Sequence, residues 1–239
     1  MRRIVLLFLR IFYKVPYYWI HIKQLKNFDK YSVEDRYNFI RKFVHDLIKA
    51  AHVDVVSSGI ENLPEKSGYL ITPNHQGMFD ILMLAETHQQ PLSVVCKKEL
   101  ETVPLVKDVI NAVPAITMDR SNLRESVKVI RKVGKEIGEG KTYIIFPEGT
   151  RSKNGNNLLE FKGGTMKAAV DQKAPIVPTA IIDSFIPFDS KSVKRVTCEI
   201  HYLKPLYYDD YKDLTSIELA AKVQGMIQDK INEVLEARK

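Results

Sequence analysis

Cysteine is scarce: Cys96 and Cys198 are the two in 239 residues, far apart and each within a β-like apolar run. They read as small buried apolar residues, which removes a disulfide framework and a zinc site from consideration. His and carboxylates do not cluster as a metal site demands. The sequence has no Gly-x4-Gly-Lys-Ser/Thr loop for nucleotide phosphates and no Gly-x-Gly-x-x-Gly fingerprint. It also has no Gly-x-Ser-x-Gly elbow, so a serine nucleophile is unsupported. Long apolar runs are missing too. The uninterrupted stretch near the start covers 4–9, well short of the roughly 20 residues of a membrane-crossing helix. Arg10 interrupts it and no small-residue cleavage site follows, so it does not read as a signal peptide. Repeats and low-complexity tracts are absent.

Acidic residues are missing before Asp29. Residues 1–50 carry eleven Lys and Arg against four acids, a surplus equal to the net charge of +7 of the whole chain. An anionic partner is therefore expected at this segment. Arg3, Arg10, Lys14 and His21 are spaced by seven, four and seven, which puts them on one helical face. Val5, Phe8, Phe12, Val15 and Trp19 lie on or near the other. This pattern fits a helix lying in a membrane interface, its cations meeting anionic headgroups, with Pro16 kinking it. A basic amphipathic helix docked on the protein's own body fits as well. Nucleic-acid binding fits less well, because a phosphate-tracking surface does not need six consecutive apolar residues. Ser32 and Asp35 resemble a capping start, followed by Tyr37, Ile40, Phe43, Val44, Leu47 and Ile48 at helical spacing. Residues 1–52 are thus expected to form two amphipathic helical stretches joined near 27–31, a membrane-association segment.

After His52 the character changes. Apolar, β-branched runs fall at 53–60, 69–72, 93–96, 115–118, 142–146, 176–182 and 193–203, with helical stretches near 79–88, 102–111, 123–138, 164–171 and 217–236. This alternation predicts an α/β domain over 53–239, with a mostly parallel sheet flanked by helices. Such sheets bind ligands beyond the C-terminal ends of their strands, which here means just after Thr72, Cys96, Met118 and Phe146.

Four constellations fall on that rim. Pro73-Asn74-His75-Gln76-Gly77-Met78-Phe79-Asp80 follows the first of these strands. Positions five apart on a helix differ by about 140°, so His75 and Asp80 can meet only with the histidine in the loop and the aspartate in the first turn behind it. A carboxylate holding one imidazole nitrogen leaves the other free as a base. Alternatively, His75 only caps the helix and Asp80 answers its dipole. Pro147-Glu148-Gly149-Thr150-Arg151-Ser152 follows 142–146 and supplies a guanidinium suited to phosphate; here the alternative is a surface loop in which Glu148 and Arg151 pair. Lys97-Lys98 and Asp119-Arg120 add a cation at two further strand ends. Together they suggest an anionic substrate oriented toward a base.

Taken in order, these blocks resemble the glycerolipid acyltransferase family over about residues 55–205. Asn74-His75 with Asp80 is similar to its His-x4-Asp block, and Ile116-Thr117-Met118-Asp119-Arg120 to its second. Phe146 to Ser152 matches the third in full, and Ile176-Val177-Pro178-Thr179 resembles the fourth. The resemblance implies acyl transfer from acyl-CoA or acyl carrier protein to the sn-2 hydroxyl of lysophosphatidic acid (1-acylglycerol 3-phosphate), giving phosphatidic acid for phospholipid synthesis. It implies His75 as base, Asp80 as its orienting partner, and Arg151, Arg120 and Lys98 as phosphate ligands. Asn74, Glu148, Gly149 and Thr150 would shape the pocket. No cofactor or metal is expected beyond the acyl co-substrate, and no nucleic acid. Membrane phospholipids are the expected partners, with the chain peripheral on the cytoplasmic face of the cell membrane. Rival readings are the same fold acting on glycerol 3-phosphate or another lysophospholipid, and a lipid-binding protein without turnover. Phe161-Lys162-Gly163-Gly164 departs from the pattern and leaves Lys162 to packing or phosphate contact.

Overall fold

A computed structural model describes residues 2–119 and 121–239. The first fifty residues form three helices rather than two: α1 (Arg2–Ile11), α2 (Val15–Gln24) and α3 (Val33–Ala50). The extra break has a local cause. Inside a continuous helix Pro16 would remove a backbone hydrogen bond and clash with the preceding turn. A turn at 12–14 instead restarts the helix, so that Pro16 falls in the first turn of α2, where a missing N–H costs nothing. α3 begins as expected. Asp35 N–H donates to Ser32 Oγ (3.0 Å) and Ser32 N–H to Asp35 Oδ2 (3.1 Å), a reciprocal capping box.

The cationic stripe faces inward, as in the reading of a helix docked on the protein's own body and not as cations meeting headgroups. Arg3 is 1% exposed, and its guanidinium donates to the carbonyls of Ala51, His52, Ser192 and Lys194. Arg10 donates to Ala50 O (3.2 Å), Lys14 pairs with Asp46 (2.8 Å) and His21 stacks on Phe39. The carbonyls at the end of α3 lack helical partners and carry its negative dipole end, so they attract the two arginines. Phe8, Leu9, Phe12, Tyr13 and Ile20, on the opposite side, remain more than half exposed. Among the described residues no helix is long and apolar enough to cross a membrane.

Among the described residues seven strands form one sheet: β1 (Val53–Ser58), β2 (Leu70–Pro73), β3 (Leu92–Lys97), β4 (Ala115–Met118), β5 (Thr142–Ile144), β6 (Ile176–Ile182) and β7 (Val196–Tyr202). Their order is β1-β7-β6-β2-β5-β3-β4. The five from β6 to β4 are mutually parallel. β7 meets β6 antiparallel, with Ile181 opposite Ile200, and β1 runs parallel to β7. That edge is reversed relative to the rest, so the sheet is mostly, not wholly, parallel.

The remaining helices are α4 (Asp80–Thr87), α5 (Val106–Ala112), α6 (Leu123–Gly138), α7 (Gly163–Val170), α8 (Ile186–Asp189), α9 (Tyr208–Tyr211) and α10 (Ser216–Ala237). β2 and β6 are buried along their whole length, as strands covered on both faces must be. Alternation divides their side chains between two cores. Ile71, Val177 and Ile181 join residues of α1–α4 in one core. Leu70, Ile176, Ala180 and Ile182 join α6, α7 and α10 in the other. The parallel strands are thereby held rigidly, with their C-terminal ends on a common rim.

Candidate active site

β2 runs out at Pro73, and the loop that follows is fastened at its first residue. Asn74, 1% exposed, donates through Nδ2 to Ile181 O (2.9 Å) and accepts Ile181 N–H at Oδ1 (2.7 Å). Gly77 lies against the chain after β6: a Cβ there would sit 3.3 Å from both Phe185 Cα and Ser184 O. That tight approach explains the glycine.

Asp80 opens α4 and is fully buried. Four groups donate to its carboxylate. Oδ2 accepts from His75 Nδ1 (2.7 Å) and Gln76 N–H (2.8 Å). Gly77 N–H reaches both oxygens (3.1 and 3.2 Å), and the Ser184 hydroxyl donates to Oδ1. The histidine is thus in the loop and the aspartate in the first turn, as the spacing required. A carboxylate surrounded by donors only accepts, so Nδ1 carries the proton and Nε2 keeps its lone pair. The ring stacks on Phe146 with centroids 4.1 Å apart. Nε2 has no hydrogen-bond partner among the described residues, and the side chain is 15% exposed.

The loop after β5 is stitched to the same histidine through its backbone. Glu148, 2% exposed, accepts His75 N–H at Oε1 (2.7 Å) and Leu159 N–H at Oε2 (3.1 Å). Ser152 N–H donates to His75 O (2.9 Å). Burial pushes the Glu148 carboxyl up to about 7, against the lowering effect of those two N–H groups. Glu148 is therefore committed to backbone donors, and the Glu148–Arg151 pairing does not occur. Gly149 has φ +72°, and Lys162 Nζ lies 3.0 Å from where its Cβ would be. This lysine thus overhangs the loop. Thr150 is exposed, whereas Arg151 is half-buried with no side-chain hydrogen bond or ion pair among the described residues.

Lys98, another of the expected cations, stands further along the rim. β5 lies between β2 and β3, so Lys98 is one strand beyond the Glu148 loop. It is exposed, and after the Ser121 hydrogen bonds it helps hold the Asp119 carboxyl below its usual range. Arg120 lies outside the described residues. No group of three or more His, Cys, Asp or Glu among the described residues is placed to hold a metal ion. Two buried site residues escaped the sequence reading: Gln76, whose Oε1 accepts Ser184 N–H (3.0 Å) and lies 3.0 Å from Ser184 Oγ, and Ser184 itself. The strand-end rule, extended to the strand ending at Ile182, points to the second of them.

A loop imidazole backed by a buried carboxylate, with a guanidinium on the neighbouring strand's loop, can accept a proton beside a bound anion. The family model described as acyltransferase matches residues 54–182, which takes in His75, Asp80, Glu148 and Arg151. At more than half of the chain this match is decisive: the protein belongs to the acyltransferase family. More particularly, the chain is similar to the 1-acyl-sn-glycerol-3-phosphate acyltransferase of Borreliella burgdorferi, 31% identical over 134 residues, 56% of this chain and 53% of that one. It is also similar to the enzyme of that name from Saccharomyces cerevisiae, 29% identical over 198 residues, 81% of this chain and 65% of the relative. The matched regions thus span between half and two thirds of these relatives' lengths. The fold is that of the 1-acyl-sn-glycerophosphate acyltransferase crystal structure from Thermotoga maritima, with a TM-score of 0.79 at 20% identity, over 98% of this chain and 96% of that one.

Proposed function

We propose that this protein transfers a fatty acyl group from an acyl thioester to the sn-2 hydroxyl of 1-acylglycerol 3-phosphate, giving phosphatidic acid. The observation that carries the reading is the His75–Asp80 hydrogen bond of 2.7 Å, which leaves Nε2 open on a partly exposed ring. The names of the relatives supply the acceptor.

In this mechanism His75 Nε2 takes the hydroxyl proton as the acceptor oxygen forms its bond to the thioester carbonyl carbon. The imidazolium that results is stabilised by Asp80. The tetrahedral oxyanion then collapses, the C–S bond breaks, and the thiolate leaves with the proton returned from His75. Imidazole suits the role because its ordinary pKa of about 6.5 lies near working pH. Arg151 binds the acceptor phosphate so that its hydroxyl, rather than water, is presented. Lys98 adds positive charge further along the same rim, and Arg120 is assigned to the phosphate on the strength of its motif alone.

The chain works at a membrane surface, on the cytoplasmic face of the cell membrane. The exposed apolar faces of α1 and α2 enter the headgroup boundary, an arrangement supported by Phe8, Leu9 and Phe12 standing 57–66% exposed. Acyl-CoA and acyl carrier protein are both suitable donors. The test is acyl transfer in lipid micelles with each donor, comparing lysophosphatidic acid, glycerol 3-phosphate and lysophosphatidylcholine. Lysophosphatidic acid should turn over fastest, and folded H75A should lose activity by at least about 10³-fold, a general-base effect with its charge stabilisation. Near-normal turnover by H75A would remove the mechanism, and preference for another acceptor would remove the substrate.

A further inference from the structure

Asp183, the residue after β6, has φ +64°, a left-handed conformation uncommon outside glycine and tolerated by aspartate when its side chain is well held. Its carboxylate accepts from two residues, Asn156 and Arg238. Asn156 donates through Nδ2 to Asp183 Oδ1 (2.8 Å) and accepts Asp183 N–H at Oδ1 (2.9 Å). Arg238, the C-cap of α10, donates through Nη1 to Asp183 Oδ2 (2.6 Å) and through Nη2 to Glu199 Oε1 on β7 (2.6 Å).

The turn so fixed delivers Ser184, 1% exposed, to the underside of the site. There its hydroxyl donates to Asp80 Oδ1, and its N–H donates to Gln76 Oε1 (3.0 Å). Gln76 closes the loop by donating through Nε2 to Asn156 Oδ1 (2.7 Å). An unbroken path of hydrogen bonds therefore runs from Arg238 through Asp183, Asn156, Gln76 and Ser184 to the carboxylate that orients His75.

We propose that Arg238 is a positioning residue for the His75–Asp80 pair. It holds the Asp183 turn in the left-handed form, so that Ser184 and Gln76 keep Asp80 at the angle His75 needs. This rests on the acyl-transfer reading. Since Arg238 is 36% exposed, its ion pairs add little to global stability. Its effect should therefore be on rate and not on unfolding, which separates positioning from a merely structural role.

The full chain is assayed in lipid micelles as R238A, R238K and R195A, the last removing a comparable surface ion pair with Asp54 (2.7 Å) that is remote from the path. R238A should lose about tenfold in kcat, less than the ~10²-fold that a 1 Å misplacement can cost, with acceptor KM and Tm nearly unchanged. The downfield proton resonance of the His75 Nδ1–H···Asp80 bond should shift or broaden, and R238K should restore both readouts substantially. R195A should match the unmodified protein. Unaltered kcat and resonance in R238A would overturn the proposal. So would a loss of kcat that tracks a fall in Tm and is not restored by lysine. Should R238A fail to fold, N156A cuts the same path between Asp183 and Gln76 and must show the same loss. Persistence of turnover in H75A would instead refute the acyl-transfer reading, whatever Arg238 does.

Discussion

Replacing Asp80 by asparagine separates charge from orientation at this site, because the structure dictates which way the amide turns. An amide nitrogen at the Oδ2 position would confront His75 Nδ1–H and Gln76 N–H, two donors with nothing to accept. At the Oδ1 position it meets the Ser184 hydroxyl, which can rotate to accept while donating its own proton to Gln76 Oε1. Gly77 N–H keeps its bond to Oδ2 (3.1 Å). D80N should therefore retain the His75 tautomer and lose only the charge that stabilises the imidazolium. Two unit charges about 4 Å apart interact by roughly 4 kcal/mol at an effective dielectric of 20, which corresponds to about 10³-fold in kcat at 1.36 kcal/mol per decade. Unfolding stability should fall by no more than about 1–2 kcal/mol, the scale of a weakened hydrogen-bond network. D80A also removes every acceptor facing four donors, and should cost about 3 kcal/mol of stability or more besides abolishing turnover. The assays are steady-state acyl transfer and urea unfolding on the same preparations. If D80N stays within about tenfold of the unmodified kcat, charge on Asp80 does not drive the reaction and the reasoning fails.

Three further outcomes follow from packing and burial. R3A should destabilise the fold by about 1–3 kcal/mol, since it removes a buried guanidinium bonded to four carbonyls, of which that of Ala51 is buried; a urea midpoint within error of the unmodified protein contradicts the inward-facing stripe. Glu148 is raised from 4.5 to about 7, so the stability it contributes is full below about pH 4.5 and is lost as pH rises through about 7. At about 1.36 kcal/mol per pH unit this approaches ~3 kcal/mol, and E148Q should show a correspondingly flatter stability profile over that window. Phe8→Ser with Phe12→Ser removes side chains 57% and 66% exposed, so folding stability should change by less than about 1 kcal/mol. Vesicle binding should nevertheless weaken by at least about tenfold, at 1.5–3 kcal/mol for each buried Phe. The emission of Trp19, the chain's single tryptophan, provides the readout, and unchanged binding would sink the interfacial role of α1.

What could be read from the sequence was local. The Ser32–Asp35 cap, the alternation of strands and helices, and the His75–Asp80 geometry each depend on residues a few positions apart, where periodicity and turn chemistry decide. Features that depend on distant neighbours were hidden. Helical spacing gathered Arg3, Arg10 and Lys14 on one face, yet could not say that Asp46 and the last carbonyls of α3 would meet them. The reversed β7 edge arises from pairing between β6, β7 and β1, to which no short-range pattern responds. Ser184 reaches Asp80 across 104 positions, and Glu148 reaches His75 across 73. In the second case the residue was found but its partner was not, because a carboxylate three positions from an arginine suggests an ion pair while the fold offers it two backbone donors.

The inward seat of Arg3 also has a consequence in time. Its most distant acceptor, Lys194 O, lies 191 positions along the chain, so α1 cannot take its final place until β7 is about to be made. At a synthesis rate of 5–20 residues per second, the helix waits about 10–40 s with Arg3 lacking two of its four acceptors and its apolar side uncovered. During that interval a bilayer is an available partner for both. Ribosome-bound chains stalled before Ser192 should accordingly bind anionic vesicles through α1 more strongly than the completed protein, and equal binding would contradict this order of events. The contact that locks the helix onto the body would then also mark when its cations are withdrawn from the bilayer and only its apolar side is left to meet it.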